Sequence, residues 1–202
     1  MKKIHLIILA IVVLALGSFQ LKTTGYVVGS RVENFTLYDL TADSTFTLNT
    51  YVNKKAVVII FDANYCAYSQ RYRSRIAQLN RSFQNQGVQF VLVNSNKVKQ
   101  APKESNAEMR KLIKEEQIQF PYLVDGKSRI ANVFGARKNP ECFVLTVKNG
   151  VFYVAYHGAI DDNAQVESEV SKSYLKDALI DILNYRTPSI KETPSVGCMI
   201  RK

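Results

Sequence analysis

Tryptophan is absent from this 202-residue chain, and proline, cysteine and histidine are scarce, at five, three and two copies. Three cysteines are too few, and odd in number, for a scaffold stapled by disulfides. They leave one pair and a spare, or reactive thiols. No C-x-x-C spacing occurs, and His5 lies in the N-terminal apolar run, so His157 is the one imidazole left in the body of the chain. A structural zinc is therefore not expected, and neither is any other metal or cofactor. Negative charge is also in short supply. Lys and Arg number 27 against 17 Asp and Glu, for a net charge of +10. The excess is scattered over Lys97, Lys99, Lys103, Lys111, Lys114, Arg137, Lys138, Arg201 and Lys202 and forms no basic arm, so nucleic acid is not an expected partner. It reads as a solvated surface with weak attraction for anionic envelope surfaces.

Long hydrophobic runs are missing beyond the first residues. Lys2 and Lys3 precede an apolar stretch from Ile4 to about Leu16, too short to span a bilayer comfortably. The basic start, short apolar centre and small residues around Ala15-Leu16-Gly17 read as a secretory signal over residues 1–17. An uncleaved anchor is the alternative. No cysteine lies nearby to carry a lipid. The chain is thus expected to be exported to the periplasm or cell envelope, with no stable membrane insertion once the signal is removed. Residues 18–202 are long enough for one domain with a sizeable core, and an irregular tail is expected from about residue 186.

What is present centres on Cys66. An apolar, β-branched run (AVVIIFDA from Ala56) predicts a buried strand, and Tyr72, Ile76, Leu79 and Phe83 predict a helix from about Cys66 to Phe83. A cysteine at a strand-to-helix junction sits beside unsatisfied N–H groups and the positive end of a helix dipole, which favours the reactive thiolate. Arg71 is a nearby cation. Two short strands around Ala42-Asp43-Ser44 precede this unit. After it come VQFVLVNSN as a strand, a helix from Ser105 or Asn106, a short strand at Gln119–Val124 and a short helix at Ser128–Phe134. ECFVLTV and GVFYVAY form a hairpin about Asn149-Gly150, and a last helix runs from about Val170 to Leu183. Strands alternating with helices, then a hairpin and a helix, point to an α/β fold.

Several segments in this order resemble the thioredoxin-like superfamily, in its redoxin branch related to thiol-specific antioxidant proteins. They are ENFTLYDL; FDANYCAYSQRYRSRI, with Asn64, Cys66, Tyr72 and Arg75 in the expected places; FGARKNPECFVLT; AYHGAIDD; and the closing PSVGCMI. The resemblance spans Val28 to Arg201. It implies a thioredoxin-like fold, with a mixed central sheet, helices on both faces and an N-terminal β-hairpin extension. It implies that Pro140 is the superfamily's cis-proline. It also implies a thiol–disulfide oxidoreductase with Cys66 as nucleophile, acting on protein or small-molecule disulfides and thiols, with a redox partner protein. A peroxiredoxin-like peroxide reductase and a non-catalytic peptide-binding module are the alternatives. The chain departs from the pattern where Ser69 stands for the second cysteine of C-x-x-C. It departs again at Ala63 and Ile59, where peroxiredoxins carry Thr or Ser and Pro, and at Ala67 and Ala159.

Each candidate residue then has an expected role. Ser69, three residues on and on the same helix face, is a hydrogen-bond donor to the Cys66 thiolate. Cys198, on the tail, is a candidate resolving thiol. Cys142 shares a strand face with Val144 and Thr146 and reads as core, although it too could pair with Cys66. Tyr65, Arg137, Asn139 and Pro140 are candidates for substrate binding. His157, Asp161 and Asp162 read as a turn whose carboxylates cap backbone N–H groups.

Overall fold

A strand covered on both faces must be apolar at every position. Strand β4 (Ala56–Phe61, AVVIIF) meets that condition and lies in the middle of the sheet. The computed structural model describes residues 25–202; the expected signal over residues 1–17 lies outside them. The strands before β4 are β1 (Arg31–Val32), β2 (Thr36–Asp39) and β3 (Ser44–Thr47). After it come β5 (Val88–Asn94), β6 (Tyr122–Val124), β7 (Lys138–Asn139), β8 (Glu141–Lys148), β9 (Val151–Gly158) and β10 (Cys198–Met199). Among the described residues eight strands form one sheet in the order β1-β9-β8-β4-β5-β6-β2-β3, and β10 pairs with β7 apart from it. Strands β4, β5 and β6 are parallel, and β8 runs antiparallel to β4. The β2–β3 hairpin extends the sheet beyond β6.

The helices are α1 (Ala67–Phe83), α2 (Asn106–Glu115), α3 (Arg129–Phe134) and α4 (Tyr174–Leu183). Strand alternation divides the core between two faces. Ala56, Val58 and Ile60 of β4 pack with Tyr72, Ile76 and Phe83 of α1, Met109 of α2 and Leu179 of α4. Val57, Ile59 and Phe61 pack on the other face with Phe35, Phe46, Phe143 and with Ile130 and Phe134 of α3. The five large side chains of β4 alone contribute on the order of 10 kcal/mol of transfer free energy. The expected α/β arrangement, with helices on both faces and a hairpin extension, is therefore the observed one.

The sequence reading and the structure differ locally. Helix α4 begins at Tyr174, after a short 3-10 turn at Glu167–Glu169, rather than at Val170. Cys66 caps α1 instead of opening it. Leu79 is only half-buried, while Arg73, Arg75 and Asn80 of α1 turn inward and Arg71 is exposed. Asn149 and Gly150 both adopt positive φ, at 52° and 74°, in the expected hairpin turn. The tail past residue 186 is irregular except where it is tied down. Glu192 bridges to His157, and β10 pairs antiparallel with β7, Cys198 opposite Asn139 and Met199 opposite Lys138.

Candidate active site

Strand β4 delivers the chain to Cys66, whose extended backbone (φ −95°, ψ 121°) turns it into α1. No acidic residue occupies the first turn of α1. The positive end of a 17-residue helix therefore faces the sulfur, while the buried Glu104 carboxylate sits on the two amides before it. In the structure that sulfur is bonded to Cys198, 132 residues away, with the two Cα atoms 5.9 Å apart. Cys66 is 2 % exposed, whereas Cys198 is only partly covered.

Pro140 follows a cis peptide bond from Asn139. The Asn139 carbonyl oxygen lies 3.1 Å from Cys66 Sγ. The tail crosses this point so closely that a Cβ on Gly197 would sit 2.3 Å from that same oxygen. Beyond the disulfide, the Ile200 N–H donates to Arg137 O at 2.9 Å and the Ile200 side chain is buried in the α3-side core. The Arg201 N–H donates to Asn96 Oδ1, and Lys97 N–H to Arg201 O. The tail is thus an added strand laid along the segment before the cis-proline, pinned by one covalent bond.

Two buried carboxylates hold the two sides of the site. Glu104 accepts from the Asn64 N–H at 2.7 Å, the Tyr65 N–H at 2.9 Å and Asn94 Nδ2 at 2.7 Å, and so clamps the loop leading into Cys66. Glu141 accepts from the Arg137 and Lys138 N–H groups and meets His157 Nε2 at 2.6 Å. Burial pushes the Glu141 carboxyl up. The bonds from His157 and the two amides outweigh that and leave it below the usual carboxylate range. The His157 ring stacks on Phe143 at 4.1 Å, so the pair is held rigidly beneath β7. Behind the loop, Arg73 donates to the carbonyls of Ala63 and Asn64, and the Tyr122 hydroxyl donates to buried Asp62 at 2.7 Å. Burial first, and Asp62 second, raise the Tyr122 phenol far above its ordinary range.

The structure brings together Cys66, Cys198, Tyr65, Asn139 and Pro140. Tyr65 is 64 % exposed, and Lys103 Nζ lies 3.7 Å above its ring. Asn139 contributes its backbone to the contact with Cys66. Ser69 is fully buried, and its Oγ accepts from the Ala63 N–H at 3.3 Å, which fixes the turn before Cys66. Arg137 offers its backbone to the tail and to Glu141 while its side chain is exposed. Cys142 is fully buried among core residues, and burial raises its thiol far above the ordinary range, so it is not a ready nucleophile. Of the His157 cluster, Asp162 does cap the Ser171 backbone. Asp161 caps the Asn163 N–H at 3.1 Å and also binds Arg75 and Tyr72 at 2.7 and 2.8 Å, while His157 finds Glu141. Glu104 and Glu141 escape a reading of sequence windows. The available hints are a lone acid between Lys103 and Ser105 in a lysine-rich loop, and an acid directly after Pro140.

Residues 28–162, which hold Cys66, Glu104, Asn139 and Pro140 but not the tail with Cys198, fit the AhpC/TSA family. The chain belongs to that family. No curated protein matches it. Among solved structures, it is similar to a conserved protein of Geobacillus kaustophilus at 26 % identity and a TM-score of 0.81, over 88 % of this chain and 93 % of that one. A hypothetical protein of Sinorhizobium meliloti matches at 26 % identity and 0.79, over 87 % and 94 %. A Chlorobium tepidum protein described as thiol:disulfide interchange protein DsbE shares the fold at 18 % identity and 0.58, over 80 % and 98 %. Among the described residues no helix is long and apolar enough to cross a membrane.

Proposed function

We propose that this AhpC/TSA-family chain is an exported thiol–disulfide oxidoreductase in which Cys66 is the nucleophile and Cys198 the resolving thiol. The observation that carries the reading is the Cys66–Cys198 disulfide, formed between the start of α1 and a tail strand lying against the segment before Pro140. It answers the difficulty raised by Ser69: the second thiol comes from the tail instead of the helix.

In the forward direction the Cys66 thiolate attacks one sulfur of a substrate disulfide. A mixed disulfide forms and the other substrate sulfur leaves as a thiolate. The Cys198 thiolate then attacks Cys66 Sγ, the remaining substrate sulfur departs as a thiolate that takes a proton, and the protein is left in the state described here. Two electrons pass from the protein to the substrate. In reverse, the disulfide form oxidises a dithiol. Tyr65, Arg137, Asn139 and Pro140 flank the point of attack and contact the substrate. Ser69 acts as a positioning residue through Ala63. Substrates are protein or small-molecule disulfides and thiols, with a partner protein closing the cycle. Residues 1–17 act as the signal that sends the chain to the periplasm or envelope.

The test is exchange with a small disulfide reporter. Cys66→Ser abolishes exchange, and Cys198→Ser accumulates a one-to-one mixed disulfide at Cys66 without turnover. Retention of exchange by Cys66→Ser would sink the reading. Rapid consumption of peroxide by the reduced chain would reassign it to the peroxide reductase. Buried Ala63 supplies no hydroxyl for peroxide, which counts against that outcome. N-terminal sequencing of envelope-fraction protein is expected to begin at Ser18.

A further inference from the structure

When the cycle runs towards substrate reduction, a thiol donor must afterwards reopen the Cys66–Cys198 disulfide as its thiolate. That donor meets the Cys198 side first, because Cys66 is 2 % exposed and Cys198 is only partly covered. The exposed charge around that opening has one sign. Lys103 sits over Tyr65, next to Cys66. Lys138 pairs in register with Met199, next to Cys198. Arg201 and Lys202 follow on the same tail; Arg201 is bonded through its backbone to Lys97, and Arg137 is bonded through its backbone to Ile200. None of these six cations takes part in an ion pair among the described residues, whereas Arg31, Arg75, Arg110, Lys111 and Arg186 all do.

The neighbouring acids offset them only in part: Glu141 and Asp125 attract Lys202, but the six cations outnumber the four carboxylates, and none of those carboxylates is exposed. Asp62, Glu104, Asp125 and Glu141 are all buried, and each is hydrogen-bonded inward: Asp62 to Tyr122, Glu104 to the Cys66 loop, Asp125 to the first turn of α3, and Glu141 to β7 and His157. The exposed acid of the tail, Glu192, lies 3.8 Å from His157 Nδ1, on the far side of the tail's path from Cys198. Tyr65, Val196 and Met199 are exposed at the same opening and add apolar contact area.

We propose that the thiol that reduces this disulfide is anionic, with carboxylates close to its sulfur, borne by a small molecule or by an acidic peptide segment. This rests on the redox role proposed above. Its thiolate attacks Cys198 Sγ, forming a sulfur–sulfur bond to Cys198 and breaking the bond to Cys66. Cys66 leaves as the thiolate stabilised by α1. A second thiolate of the same kind then attacks the mixed disulfide and leaves as the symmetrical disulfide, and Cys198 takes a proton. Two thiols are oxidised and one protein disulfide is reduced.

The test measures reduction of the oxidised chain by cysteamine, 2-mercaptoethanol, 3-mercaptopropionate and mercaptosuccinate, with rates expressed per thiolate. Acid quench, alkylation and mass provide the readout. A second arm uses cysteine peptides flanked by Glu or by Lys. Clustered charge of this kind raises association about tenfold or more at low ionic strength. The expected order therefore rises from cysteamine to mercaptosuccinate across about that range. It should collapse in molar salt, where the screening length is about 3 Å. The exposed triple variant Lys103→Glu, Arg201→Glu, Lys202→Glu should reverse the order, slowing each anionic thiol in proportion to its charge, while leaving the cysteamine rate within about twofold of the parent, since its thiolate form carries no net charge. A charge preference confined to the peptides assigns the donor to a polypeptide; one shared by the small thiols assigns it to a small molecule. Equal rates per thiolate in both arms overturn the inference and leave the redox role standing. A disulfide that no thiol reduces without unfolding overturns both.

Discussion

Replacing Glu104 by Gln tests whether a buried carboxylate holds the nucleophile's loop. The side chain keeps its volume, but one of its two acceptor oxygens becomes a donor that must face an N–H. Three partners are affected: the amides of Asn64 and Tyr65 and the Nδ2 of Asn94. Bonds to a charged acceptor contribute about 1.5–3 kcal/mol each and neutral ones about 0.5–1.5, so losing the charge across three bonds costs roughly 3 kcal/mol. A donor left facing a donor in a site only 6 % exposed adds about 1 kcal/mol more. For a domain of this size each kcal/mol moves Tm by about 2–4 °C, so the oxidised variant should melt roughly 10 °C below the parent. Calorimetry measures this. In the reduced chain, alkylation of Cys66 by iodoacetamide should also change rate, because the loop that aims the sulfur has lost its clamp. A Tm within about 2 °C of the parent together with unchanged alkylation would refute the assignment of Glu104 as the clamp.

Three further outcomes follow from the same geometry. Gly197→Ala places a Cβ 2.3 Å from Asn139 O and 2.7 Å from its carbonyl carbon, both backbone atoms, so it should cost about 1–3 kcal/mol in the docked tail. The loss should appear in the Tm of the oxidised chain and not in that of the reduced chain; equal losses in both forms would contradict it. A thiol count on oxidised protein should find no fast-reacting thiol in the native state and one after unfolding, that of buried Cys142, and a fast native thiol would contradict the pairing or the burial. Glu141 has a folded-state pKa below its ordinary 4.5, so it adds stability that is complete above that pH and is lost as pH falls through the lower folded value. Glu141→Gln should therefore flatten the acid limb of the stability–pH curve and leave the alkaline side alone. An unaltered acid limb counts against the His157–Glu141 clamp.

Residue order alone is enough for whatever repeats within one element. AVVIIF reads as a strand buried on both faces because every position must meet hydrocarbon. Asn149-Gly150 reads as a hairpin turn because those residues accept positive φ, and Cys66 reads as privileged because the strand ends and the helix begins beside it. What meets across distance is set by how the folded chain crosses itself. The choice of Cys198 over Cys142 as partner spans 132 residues, and it depends on where the tail crosses β7 and on Cys142 pointing into the core. Arg73, Arg75, Glu104 and Glu141 break any apolar period, and their burial makes sense only once carbonyls, amides and carboxylates from other segments arrive to satisfy them. A buried charge is stable only with its partners in place, and those partners are chosen by how the chain crosses itself, which no local pattern encodes.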